Sequence, residues 1–168
     1  MKHFLIVFIS SLGIAFPALA NDYMHGDMHI VRPWSRPLPA VSSNGAAYVT
    51  LMNMGDAPDT LVSASTPAAE RAELHTHIME GGMMKMRHVG AIEIPAGGTI
   101  ALEPGGLHIM LFGLTEPFVE GKTYPLKLRF ERAGEVEVTV TIMEPAEGGS
   151  SMQHDHGDMK HDEKKNGG

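Results

Sequence analysis

Tyr124-Pro125-Leu126-Lys127-Leu128-Arg129-Phe130, joined through Arg132-Ala133-Gly134 to Val136-Glu137-Val138-Thr139-Val140-Thr141-Ile142, is the stretch on which the fold class turns. Leu126, Leu128 and Phe130 recur at every second residue, as do Val136, Val138, Val140 and Ile142, with charges and threonines between them. In an extended chain a period of two sends alternate side chains to opposite faces. Two such runs around a glycine-bearing turn read as an antiparallel pair with one apolar and one wet face.

Working outward, the rest of the chain repeats that pattern in shorter pieces. His29–Trp34 is a candidate strand, stopped by Pro33, Pro37 and Pro39. Ala46–Met54 ends at the turn signal Gly55-Asp56, and Thr60–Ser65 ends at Thr66-Pro67. Glu73–Met79 and Met83–Val89 flank Glu80-Gly81-Gly82 as a hairpin. Ala91–Ile94 and Thr99–Leu102 flank Pro95-Ala96-Gly97-Gly98, and residues 107–112 follow Pro104-Gly105-Gly106. No segment sustains a helical period. The spacing predicts an all-β domain of eight or nine short strands, an antiparallel β-sandwich over residues 29–145.

The ends read differently. Lys2, the apolar run Phe4–Phe16 and the small-x-small Ala18-Leu19-Ala20 have the form of a signal peptide cleaved after Ala20. The apolar run is too short to span a bilayer, and no later stretch is long and apolar enough. An exported protein with no membrane span after cleavage is expected. Residues 21–28 are expected to be a flexible segment containing His and Met. Residues 146–168 open with Gly148-Gly149-Ser150-Ser151 and continue charged and His-rich, the composition of a disordered tail. His-Gly-Asp-Met occurs at both ends, at 25–28 and 156–159, so each end carries similar candidate ligands.

The formal net charge of −7 argues against nucleic acid or anionic lipid as a partner. The chain has no cysteine, so neither disulfides nor thiolate chemistry is open to it. It has thirteen methionines and ten histidines instead. Thioether and imidazole together suit a soft metal, copper(I) above all.

The candidate donors fall in three segments: His75 and His77; Met83, Met84, Met86 and His88; and His108 with Met110. In Leu107-His108-Ile109-Met110-Leu111, alternation puts His108 and Met110 on one face and the three aliphatic residues on the other. Taken alone, that pair fits a surface histidine beside a core methionine better than a metal site. A two-residue turn at Gly81-Gly82 would set His77 opposite Met86 and His75 opposite His88. His75, His77, Met79, Met84, Met86 and His88 would then share one face, whereas a three-residue loop would break the set.

Ten residues separate His75 from Met86, twenty-one separate Met86 from His108, and His-x-Met completes the pattern at Met110. With Trp34-Ser35-Arg36, Asn44-Gly45-Ala46-Ala47-Tyr48 and Pro104-Gly105-Gly106-Leu107, this resembles the PCuAC family of periplasmic copper chaperones over most of the domain. The resemblance implies a cupredoxin-like Greek-key sandwich with an exposed copper(I) site at His75, Met86, His108 and Met110. It implies a periplasmic role in delivering copper to the CuA centre of cytochrome c oxidase, whose subunit II CuA domain would be the partner. Many family members carry Met directly after the first His; here Thr76 stands there and His77 follows, so His77 competes with or supplements His75.

Met84 and His88 are expected to be surface residues or supports of the ligands, Met52 and Met54 packing residues, and Trp34 a core or shielding aromatic. The tail residues His154, His156, Met159 and His161 form a candidate copper(II) site, with a solvated tail as the equal alternative. A sequestering or resistance protein without a dedicated acceptor is the rival function. No enzyme is expected, since the sequence shows neither cysteine nor a Ser/His/Asp arrangement and a four-ligand site leaves little room for substrate.

Overall fold

A computed structural model describes residues 21–144. In chain order the strands are β1 (Tyr23–His25), β2 (Met28–Ser35), β3 (Asn44–Asn53), β4 (Asp59–Ser65), β5 (Ala69–Glu80), β6 (Met83–His88), β7 (Ile92–Ile94), β8 (Thr99–Leu102), β9 (His108–Leu114), β10 (Thr123–Phe130) and β11 (Glu135–Ile142). Among the described residues no helix is long and apolar enough to cross a membrane. The signal-peptide reading of residues 1–20 and the tail reading of residues 146–168 lie outside the described residues.

Hydrogen-bonded order runs β6-β5-β9-β3-β2-β11-β10-β4-β7, with β1 added beside β2 and β8 beside β3. The chain crosses repeatedly between the two ends of this order. Its apolar faces fill one core: Ile30, Val49, Leu51, Leu74, Ile109 and Leu111 on one side, Leu61, Ile94, Leu126, Leu128, Phe130, Val138 and Val140 on the other. β10 and β11 pair antiparallel with Leu126 opposite Val138, and the apolar sides of both are buried.

The all-β sandwich stands, and three details depart from expectation. The sandwich is not wholly antiparallel, because β11 runs parallel to the end of β2, with Thr141 opposite Trp34 and Ile142 opposite Ser35. Pro33 does not stop β2; the register shifts between Val31 and Trp34, where Arg32 takes a positive φ of 49°. A bulge accommodates a proline that cannot donate to the ladder and bends the strand, so its last residues meet β11 as well as β3. Residues 21–28, expected to be flexible, contain β1 and its turn, and Met28 is buried in the core. Two bonds tie this hairpin down: the Thr139 N–H donates to the Tyr23 hydroxyl at 2.8 Å, and His25 Nε2 donates to the Ala133 carbonyl at 3.0 Å. The first His-Gly-Asp-Met is therefore built into the fold, with Met28 in the core and His25 bonded to Ala133.

β5 decides where the candidate donors go. Its first half pairs with β9 as far as His75, opposite His108. Beyond that point it pairs with β6, all of whose residues are exposed. The β5–β6 hairpin is thus an arm reaching past the sandwich.

Candidate metal centre

The arm turns at Gly81 and Gly82, with φ of 62° and 79°. Consecutive positive φ values are cheap only for glycine, and such a two-residue turn matches the twist of a hairpin. The resulting register places His77 opposite Met86, His75 opposite His88 and Met79 opposite Met84. On β9, Ile109 and Leu111 enter the core, so His108 and Met110 occupy the outer face. Glu73 lies opposite Met110, and Met110 opposite Ala46. Three strands thereby bring His75, His77, Met86, His108 and Met110 to one end of the outer face.

A cleft of about 250 Å³ opens there, walled by Arg36, Leu38, Asn44 and Tyr48 and lined by His77, Met86, His108 and Met110. Tyr48 in turn stacks against Trp34, their ring centroids 4.7 Å apart, so Trp34 backs the wall. His77 and His108 stand with ring centroids 5.0 Å apart. His108 Nδ1 donates to the Gly106 carbonyl at 3.0 Å, and His77 Nδ1 approaches the same oxygen at 3.4 Å. That carbonyl sets the tautomer of His108 and leaves its Nε2 with its lone pair, the arrangement that prepares an imidazole for a metal, while the longer approach of His77 holds its ring more loosely.

His75 is held differently. Its Nε2 donates to Glu73 at 2.9 Å, while its Nδ1 is buried with no hydrogen-bond partner. The carboxylate also takes Arg71 at 2.7 Å. The hydrogen bond from His75, with the neighbouring positive charges, holds the Glu73 carboxyl below its ordinary pKa. His75 is not a lining residue of the cleft but stands behind it, its ring centroid 6.0 Å from that of His108. Of the two competing histidines, His77 is therefore the one that faces the open space.

Exposure is uneven across the set. His108 is only 3% exposed, whereas Met86 is 51% exposed. Burial lowers the pKa of His108, helped by His77 and His75 and opposed by the Gly106 carbonyl. A ring kept neutral is a ring able to ligate. Among the described residues, nitrogen and oxygen donors alone do not form a group of three that could hold a metal. A metal here would need thioethers as well, and that mixture selects soft ions.

Met79, Met83 and Met84 are exposed on the arm, and none of the three lines the cleft. Met54 is exposed, so the expectation that it packs in the core is corrected; it lies just past the last residue of β3, where the core face has ended. Sequence reasoning missed Glu73 and the Gly106 carbonyl. Glu73 was within reach, because 73, 75 and 77 share a strand face; a carbonyl direction has no sequence signal.

The fold and this gathering of imidazoles and thioethers define an all-β sandwich with a candidate soft-metal centre at one end of its outer face. The model of the family described as "Putative lipoprotein LpqE-like" matches residues 28–142. The chain belongs to this family, which is of PCuAC type. It is 35% identical over 104 residues to the "Putative lipoprotein Lxx21020" of Leifsonia xyli subsp. xyli, a match covering 61% of this chain and 63% of that protein. The chain thus spans less than two thirds of that relative's length.

Two solved structures extend the comparison. The copper-bound PCuAC domain from PmoF2 superposes with a TM-score of 0.64 at 24% identity, over 74% of this chain and 99% of that one. The solution structure of CuI-DR1885 from Deinococcus radiodurans gives 0.55 at 36% identity, over 66% and 74%. The cupredoxin-like, PCuAC-type sandwich is the fold of this chain.

Proposed function

We propose that this protein is a copper chaperone of the cell envelope that carries copper(I) at His75, Met86, His108 and Met110, with His77 as a fifth donor. The observation that supports this reading is the meeting of a buried imidazole (His108), a half-buried one (His77) and two thioethers (Met86 and Met110) at one cleft, with His75 behind it, in a chain without cysteine. Thioethers stabilise copper(I) and need no deprotonation. Without a thiolate, the blue-copper electron-transfer site cannot form, so the sandwich carries its metal without the redox role. The similarity to CuI-DR1885 supports the choice of ion. Export to the periplasm rests on the form of residues 1–20 and agrees with the lipoprotein names of its relatives.

Delivery proceeds by ligand exchange, with copper(I) passing to a thiolate-containing acceptor, for which the CuA domain of cytochrome c oxidase is the proposed partner. The copper(I)-loaded protein is mixed anaerobically with the isolated CuA domain, and metal is followed by separation and spectroscopy. Copper moving to the acceptor is the expected result. No movement, while the same acceptor binds copper(I) from solution, rejects delivery and leaves a sequestering protein. The tail, with His154, His156, Met159 and His161, is proposed to take copper(II). Deleting residues 146–168 lowers copper(II) stoichiometry and keeps one copper(I); unchanged copper(II) binding removes that role.

A further inference from the structure

At the far end of β3 from the cleft, pairing sets Met24 of β1 directly opposite His29 of β2, and His29 directly opposite Met52 of β3. The three residues form one row across three adjacent strands. Their neighbours Met28, Ile30 and Leu51 are buried in the core, so the row lies on the outer face. Directly opposed Cβ atoms are about 5 Å apart, and the thioether arm is unbranched and flexible. Two sulfurs can therefore close from either side on an ion held at the central imidazole.

Core packing does not account for Met24 or His29, and Met52 beside them is half-buried, on the face away from the core. Met24 is 65% exposed and the His29 side chain 27% exposed. Asp22 lies 3.8 Å from His29 Nε2, beyond hydrogen-bond length, and places a carboxylate beside the row. Met52 is six residues along β3 from Ala46, the partner of Met110. At the rise of a strand that is about 20 Å, too far for the two places to share one metal.

We propose that Met24, His29 and Met52 form a second soft-metal site, an S₂N set that takes copper(I) independently of the cleft. It is built from a hairpin that the His-Gly-Asp-Met repeat alone does not explain, since Met28 of that repeat is buried and His25 is bonded to Ala133. Three donors on a wet face bind more weakly than the cleft set, so this site fills after it.

The test is an anaerobic copper(I) titration of the processed full chain, residues 21–168, with methionine methyl groups labelled for NMR. The first equivalent is expected to move the Met86 and Met110 methyls, and further copper to move Met24 and Met52 together with the His29 ring. Met24→Leu/Met52→Leu, which conserves volume, is expected to remove one bound equivalent and leave the thermal midpoint unchanged. His29→Gln is expected to weaken the later step roughly tenfold or more, the least cost of disturbing a metal's surroundings. The proposal is overturned if the Met24 and Met52 methyls stay fixed while only Met152 and Met159 in the tail respond. Unchanged stoichiometry in the double variant overturns it equally. Failure of the cleft would show separately, as unmoved Met86 and Met110 methyls.

Discussion

His75→Leu should stabilise the metal-free protein while weakening its hold on copper(I). The His75 side chain is only 13% exposed, and its Nδ1 is buried without a partner. A buried polar atom left unpaired costs about 1–3 kcal/mol. Leucine removes that atom and fills a similar space. The hydrogen bond to Glu73 is lost, but that carboxylate keeps Arg71 and some solvent. A net gain of about 1 kcal/mol is expected, which for a domain of this size raises the melting midpoint by roughly 3–6 °C. The assay is thermal unfolding by circular dichroism in the presence of a chelator, with copper(I) affinity measured by competition against a chromogenic ligand. His88→Leu is the control: His88 sits opposite His75 in the register but is exposed, so its midpoint should stay within a degree or two. A lower midpoint for His75→Leu would show that the ring nitrogen is satisfied. Unchanged copper(I) affinity would remove His75 from the ligand set.

Three further outcomes follow from the same geometry. His77→Ala should weaken copper(I) binding roughly tenfold or more, and His77→Met should restore most of it by returning a soft donor to the cleft; identical affinities for all three proteins would exclude His77. Inserting one alanine between Gly81 and Gly82 should abolish tight copper(I) binding by flipping the parity of β6, with the β-sheet spectrum intact because β6 contributes nothing to the core; retained affinity would refute the register. Burial lowers the pKa of His108 in the folded chain, so between that value and the unfolded value of about 6.5 the unfolded chain binds more protons. Stability then rises with pH across this window and declines as the solution is acidified through it. Urea midpoints should fall between pH 7.5 and pH 5.5, and His108→Leu should flatten the slope; an unchanged slope in that variant would assign the dependence to other groups.

Legibility in the sequence followed the kind of force involved. β10 and β11 could be read residue by residue because burial of one face leaves an alternating pattern, and the same pattern set His108 and Met110 on the face opposite Ile109 and Leu111, though His108 is buried there and is no surface histidine. The Gly81-Gly82 turn was legible through backbone sterics, and the pairing of His77 with Met86 followed from it. The parallel contact of β11 with β2 was not legible, since strands more than a hundred residues apart leave no local signal of who sits beside whom. β1 was missed for a related reason: its polar composition matches a loose end, and what fixes it are single bonds to Thr139 and Ala133 far along the chain. Which histidine faces the cleft could not be read either, because alternation places 75 and 77 on the same side, and only the point where β5 leaves β9 separates them.

That point also bears on how a metal would leave. Up to His75, β5 is clamped between β9 and the core; past it, the strand is supported chiefly by β6, whose own side chains all face solvent. His108 therefore belongs to the rigid body of the sandwich, and Met86 to an arm that can bend at the cost of few buried contacts. Of the proposed donors, the exposed thioether is the weakest base and the easiest for an incoming ligand to reach. A thiolate would displace Met86 first, while the buried imidazole keeps its orientation through Gly106. Release in that order needs no global opening. It requires only that tight and loose donors belong to differently supported parts of one sheet, and the divergence of β5 from β9 at His75 supplies that.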